Sequence, residues 1–139
     1  MNEEPRGIRN CNPGNIRVGQ PWQGLCGIQS DGEFAQFVSM QYGVRAMAKI
    51  LMTYQEKYGL RTVRSMIGRW APPSENDTAA YVSSVAKAMG VDPDATLTLD
   101  APTLAAMIRG IAAQENGAAV NAALSDADVA AGVAMALGS

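Results

Sequence analysis

The spacing of apolar positions changes near residue 42. Before it, across residues 5–40, Phe34 and Phe37 stand three apart in Glu33-Phe34-Ala35-Gln36-Phe37, which breaks strict strand alternation. Gly24, Gly27 and Gly32 punctuate the same stretch as turn positions. The segment reads as irregular to β, with a small sheet or hairpin. After it, Val44, Met47, Ile50, Leu51 and Tyr54 form a helical stripe that Gly59 ends. Thr62 is placed to cap a second helix through Arg69, which buries Val63, Met66 and Ile67 before Trp70-Ala71-Pro72-Pro73 stops it. Asn76, Asp77 or Thr78 caps a third, with Tyr81, Val82, Val85 and Met89 on one face and Gly90 closing it. Asp100 caps a fourth, with Pro102 in the first turn and Leu104, Met107, Ile108 and Ile111 as its apolar face. That helix ends at Gln114-Glu115-Asn116-Gly117. Ser125 caps a last helix through Leu137. The expected fold is mainly α (α+β), a single domain over residues 1–139 with a small β or irregular lobe and about five helices.

Composition narrows the functions open to such a domain. Hydrophobic residues make up 47% and charged residues 17%, the balance of a globular chain. The formal net charge of −2 argues against nucleic acid as a partner and gives no attraction to an anionic membrane. No apolar run approaches a spanning length, so membrane insertion is not expected. The sequence contains no histidine, which removes imidazole-based triads and the usual proton shuttle. Its two cysteines, Cys11 and Cys26, are either a disulfide across a short loop or two half-buried thiols, and are too few for a structural zinc. No metal or cofactor is implied.

Acid–base chemistry therefore falls to carboxylates. Glu115 follows an almost uncharged turn, Ile111-Ala112-Ala113-Gln114, at a helix end. An acid at the negative end of a helix holds its proton more tightly, as a general acid for glycosidic cleavage must. The alternative is an exposed glutamate beside an Asn-Gly left-handed cap. Glu75 lies in the stiff turn Trp70-Ala71-Pro72-Pro73-Ser74-Glu75-Asn76-Asp77-Thr78. There it is either a base or stabilising carboxylate or a plain helix-start acid. Pyranose faces stack on aromatic rings, so Trp70 and Trp22 are candidate sugar platforms, with Asn76, Asp77 and Tyr81 beside the Glu75 turn; Trp22 and Tyr81 read alternatively as core residues. The loop Arg6-Gly7-Ile8-Arg9-Asn10-Cys11-Asn12-Pro13-Gly14-Asn15-Ile16 is dense in turn formers. Asn12 and Asn15 are candidate donors to a glycan, although at least two of Asn10, Asn12 and Asn15 are expected to hold local turns. Arg6 and Arg9 are expected to anchor the loop by ion pairs.

The same loop, with Trp22-Gln23-Gly24, the Phe34–Phe37 stretch, Gly43-Val44-Arg45-Ala46, the Trp70–Thr78 string and Glu115-Asn116-Gly117, resembles a group of phage and prophage proteins. These are described as virion structural proteins or lysozyme-like cell-wall lysins. The likeness covers nearly the whole chain. It departs at Cys11, where Asn is usual, and at Gln114, where His is usual. More distantly, the helix end at Glu115 is similar to the catalytic helix of lytic transglycosylases and flagellar-type glucosaminidases. Asn12-Pro13-Gly14-Asn15-Ile16, Trp22-Gln23-Gly24 and the helix to Tyr54 run in the order of the latter. In those proteins the catalytic helix comes first; here it comes late. The resemblance thus implies a lysozyme-like fold, circularly permuted, in which Glu115 packs near the Asn12–Ile16 loop.

The resemblance further implies a peptidoglycan glycosidase that cleaves the β-1,4 glycan backbone with Glu115 and Glu75 as catalytic carboxylates. Peptidoglycan strands would be its partner, together with a cognate immunity or virion protein. The alternative is a non-catalytic virion or cell-wall glycan-binding module. The acidic start Met1-Asn2-Glu3-Glu4-Pro5 does not read as a signal peptide. The expected route is synthesis in the cytoplasm, then delivery to the periplasm or cell wall by a holin, phage tail or secretion machine.

Overall fold

A computed structural model describes residues 4–138. Met1–Glu3, most of the acidic start considered above, lie outside the described residues. The chain is mainly helical. Its elements are α1 (Arg6–Arg9), α2 (Met40–Tyr58), α3 (Val63–Trp70), α4 (Thr78–Met89), α5 (Ala101–Asn116), α6 (Val120–Ala123) and α7 (Asp126–Gly138). The five longer helices fall where the apolar spacing predicts them.

Side chains at the predicted positions cap these helices. Thr62 accepts from Ser65 N–H at 3.1 Å, and its own N–H donates to Ser65 Oγ at 3.1 Å, a reciprocal box at the start of α3. Asp77 accepts from Ala80 N–H at 3.2 Å, Asp100 from Thr103 N–H at 3.0 Å and Ser125 from Asp128 N–H at 3.0 Å. α2 packs on α7 and α5, and α4 packs on α3 and α5. The core between them holds Val44, Met47, Leu51, Met66, Leu104, Met107, Ile108 and Ile111, all fully buried. No helix among the described residues is long and apolar enough to cross a membrane.

The front of the chain takes the irregular form of the expectation and not the sheet or hairpin. No strand forms there among the described residues. Two isolated antiparallel bridges, Arg17 with Phe34 and Leu25 with Phe37, are all that remains of the expected sheet. Polar side chains take over the role of a ladder. Asn12 Nδ2 donates to the carbonyls of Ile16 (2.9 Å) and Ala35 (2.8 Å), while its Oδ1 accepts from Ile16 N–H (2.9 Å). Gln29 exchanges two bonds with the Gln36 backbone, both 2.8 Å. Asp31 accepts a fork of two 2.8 Å bonds from Arg6, one from Asn10, and two from the Glu33 and Phe34 N–H groups. These donors hold the Asp31 carboxyl well below the usual carboxylate range, the Arg6 bond contributing most. Arg6 thus anchors the loop as predicted, and Arg9 points to solvent. Cys11 and Cys26 are both free thiols, half-buried, and burial pushes the Cys11 thiol up.

Candidate active site

α5 carries the acid to the site. Its apolar face locks into the core, and its last turn presents Glu115 where the front lobe meets the helices. Glu115 Oε2 accepts from the Tyr81 hydroxyl at 2.8 Å. Glu115 Oε1 accepts from Asn15 Nδ2 at 3.1 Å, a contact across 100 residues of sequence. The first bond comes from α4 and the second from the front loop, so three separate segments fix the plane of one carboxyl.

Each neighbour has its own support. Tyr81 is only 3% exposed. Burial, and then the adjacent Glu115 carboxylate, raise its hydroxyl far above the ordinary tyrosine value, so it stays a donor. Asn15 adopts φ +50°, a left-handed conformation that asparagine tolerates better than most residues. Its Oδ1 is buried without a partner. Asn116, the next residue after the acid, is buried and donates to Pro13 O at 2.8 Å and to Ala112 O at 3.0 Å. It ties the loop to the end of α5. Gly117 then leaves the helix at φ 75°, ψ −176°. This is a region open almost only to glycine, and not the left-handed cap that the Asn-Gly pair suggests. A Cβ on Gly14 would lie 2.9 Å from both Trp70 Cζ2 and Met47 Cγ, so the loop presses directly on the tryptophan.

Around Glu115 opens a cleft of about 400 Å³, lined by Asn15, Arg17, Phe34, Tyr54, Trp70 and Glu75 among others. Asn76 also lines it. Glu75 is exposed in the turn after α3, where its N–H donates to Pro72 O at 3.1 Å. The cleft therefore combines two carboxylates with aromatic walls. A larger groove of about 550 Å³ between α5 and α7 is lined mainly by alanine, valine and leucine. Its charged side chains, Arg109 and Asp126, are paired at 2.6 Å, which leaves no group poised for acid–base work.

Of the residues proposed from sequence, Glu115, Glu75, Asn15, Trp70 and Asn76 line the cleft together. Four do not. Asn12 is fully buried and its amide is used up on backbone groups, so it is scaffold and not a substrate donor. Trp22 packs half-buried against the core with its indole N–H enclosed, and it does not line this cleft. Asp77 caps α4 from outside the cleft. Tyr81 acts through Glu115 and does not line the cleft. The cleft also takes in Arg17, Phe34, Ile50 and Tyr54, which were not proposed. Ile50 and Tyr54 were assigned to the α2 stripe, and they sit at its half-exposed edge. Phe34 belongs to the Phe34–Phe37 stretch of the resemblance without being singled out for the site, and no sequence signal marks Arg17. Among the described residues, no group of three or more His, Cys, Asp or Glu side chains is placed to hold a metal ion.

No family model matches the chain. Protein P5 of Pseudoalteromonas phage PM2 is 40% identical to it over 121 residues, covering 84% of this chain and 74% of that protein.

Proposed function

The chain belongs to the family of Protein P5 of Pseudoalteromonas phage PM2, and from that premise we propose that it is a peptidoglycan glycosidase of lysozyme-like, circularly permuted fold, with Glu115 as general acid. One observation carries the reading. An acid at the end of an apolar helix meets, through Asn15, a loop 100 residues earlier, and both line one aromatic cleft. The permuted arrangement requires this contact, and a separation above about 15 Å would have ruled it out. A relative from a phage fits an agent that opens a bacterial wall, delivered there by phage, holin or secretion machinery. The resemblance of its sequence motifs to those of lysozyme-like lysins is in keeping with the same reading.

In this mechanism Glu115 gives its proton to the glycosidic oxygen. The bond from that oxygen to the anomeric carbon breaks, and its electron pair stays with the departing sugar. Water, or the C6 hydroxyl of the same ring, then captures the sugar cation and loses a proton to a carboxylate. Glu75, across an open cleft, is the second carboxylate available for that step. Asn15 and Tyr81 hold the Glu115 carboxyl in position, and Trp70 and Tyr54 supply faces for sugar stacking. General acid catalysis of this type contributes about 10²–10⁴-fold to rate.

Digestion of purified sacculi with mass analysis of the products tests the proposal. Released muropeptides support it, with anhydro ends marking a lytic transglycosylase and reducing ends a hydrolase. Sacculi that are bound and left whole would replace it with a glycan-binding module of the wall or virion.

A further inference from the structure

The cleft is acidic for a substrate that is itself acidic. Glu75 and Glu115 both line it, and among the described residues lining it Arg17 is the one cation. Arg6 stands close by but is committed: its guanidinium makes two 2.8 Å bonds to Asp31 and a third to Glu33. Arg17 is held in another way. Its backbone is fixed by the bridge to Phe34 and by Val18 N–H donating to Glu33 O at 3.0 Å. Its guanidinium lies 5.3 Å from the centre of the Phe34 ring, whose other cationic neighbour is Arg6 at 4.7 Å. Its one ion pair among the described residues, to Glu33, is long at 3.4 Å, and the two side chains are 61% and 48% exposed. Such a pair contributes little and exchanges readily for a better acceptor. An arginine on an aromatic ring, with most of its donor fork unused, is suited to take a carboxylate in a bidentate grip.

We infer that Arg17, seated on Phe34, is the specificity residue of the cleft and recognises a carboxylate on the muramyl sugar or its stem peptide. This rests on the glycosidase reading and deepens it. N-acetylglucosamine carries no such group, so Arg17 would separate wall glycan from chitin-like polymers of the same backbone.

Equilibrium binding tests the inference, in the Glu115→Gln background so that no bond is cleaved. The ligands are chitotetraose, the peptide-free tetrasaccharide of alternating N-acetylglucosamine and N-acetylmuramic acid, and the same tetrasaccharide with stem peptides. Both acidic ligands are candidates for preference over chitotetraose, by about tenfold at low salt. Preference for the peptide-free ligand assigns the lactyl carboxylate, and preference for the peptide-bearing ligand alone assigns the stem peptide. Arg17→Gln is expected to erase the preference while keeping chitotetraose affinity, and Arg17→Lys to restore part of it. A preference that survives Arg17→Gln overturns the role of Arg17 and leaves the glycosidase reading standing, as does equal binding of all three ligands. Failure to bind any of them overturns both.

Discussion

Leu104 in the helical body and Asn12 in the front lobe are equally buried, with no measurable exposure, yet they hold their regions together by opposite means. Leu104 sits in an apolar core and contributes by leaving water. Asn12 stabilises by making three bonds to backbone groups, two of which, the Ile16 N–H and the Ala35 carbonyl, would otherwise be enclosed without partners. The body is thus tolerant of volume-conserving swaps, and the lobe depends on particular atoms in particular places. The candidate site lies on the seam: Glu115 and Tyr81 come from the body, Asn15 and Phe34 from the lobe. The body supplies a rigid helix to carry the acid, and the lobe supplies polar groups that a packed core would exclude.

Substitution at the two buried positions breaks this comparison most sharply. Asn12→Ala removes three hydrogen bonds and strands the Ile16 N–H and the Ala35 carbonyl, for a loss of about 4 kcal/mol. Leu104→Ala leaves a cavity and costs about 3 kcal/mol. Denaturant unfolding checks both. Asn12→Leu then separates them further: retained volume does not rescue the lobe, whereas Leu104→Met loses under about 1.5 kcal/mol.

Gly117→Ala acts at the seam itself. The backbone there is closed to a side chain, so the substitution costs about 1–3 kcal/mol and displaces Asn116 and Glu115 with it. Melting temperature and glycan cleavage should fall together. If stability drops and cleavage is unchanged, the turn does not position the acid.

Acid distinguishes the regions without mutation. Asp31 titrates lower in the folded lobe than in the unfolded chain. Its contribution is therefore present above the ordinary carboxylate value of about 4 and is lost as pH falls below it. The lobe should loosen first on acidification, seen as tryptophan fluorescence from Trp22 changing before helical circular dichroism. In Asp31→Asn that early phase should vanish, because stability is already lower at neutral pH and no longer falls with this group.

The smallest effect sharpens the picture at one residue. Cys11 sits at φ +51°, a left-handed conformation that costs most side chains but suits asparagine. Cys11→Asn should raise stability by up to about 1 kcal/mol, read as a higher denaturant midpoint.

The same contrast explains what the sequence reveals. Helices announce themselves through spacing and caps, so Thr62, Asp100 and Gly90 could be placed before any coordinates, while the choice of Asp77 among Asn76, Asp77 and Thr78 needed the fold. The four-residue helices α1 and α6 are too short to carry a period. The lobe reads as irregular to β because its glycines mark turns while its aromatics break strand alternation, and in the fold side-chain amides take the place of a ladder. Asn12 and Asn15 look alike in sequence; one faces inward to three backbone groups and the other outward to Glu115, and only the folded loop separates them. Glu115 was legible because an acid closing an apolar helix is unusual. Arg17 and Phe34 were not, since nothing local ties them to a glutamate so far along the chain.

The most direct measurement is the rate of muropeptide release from purified sacculi by Glu115→Gln against the unaltered protein, with both shown to melt at the same temperature. The account predicts a loss of about 10²–10⁴-fold, the full share of a general acid. Release at the unaltered rate would contradict it, and would move the chemistry away from the seam between lobe and body.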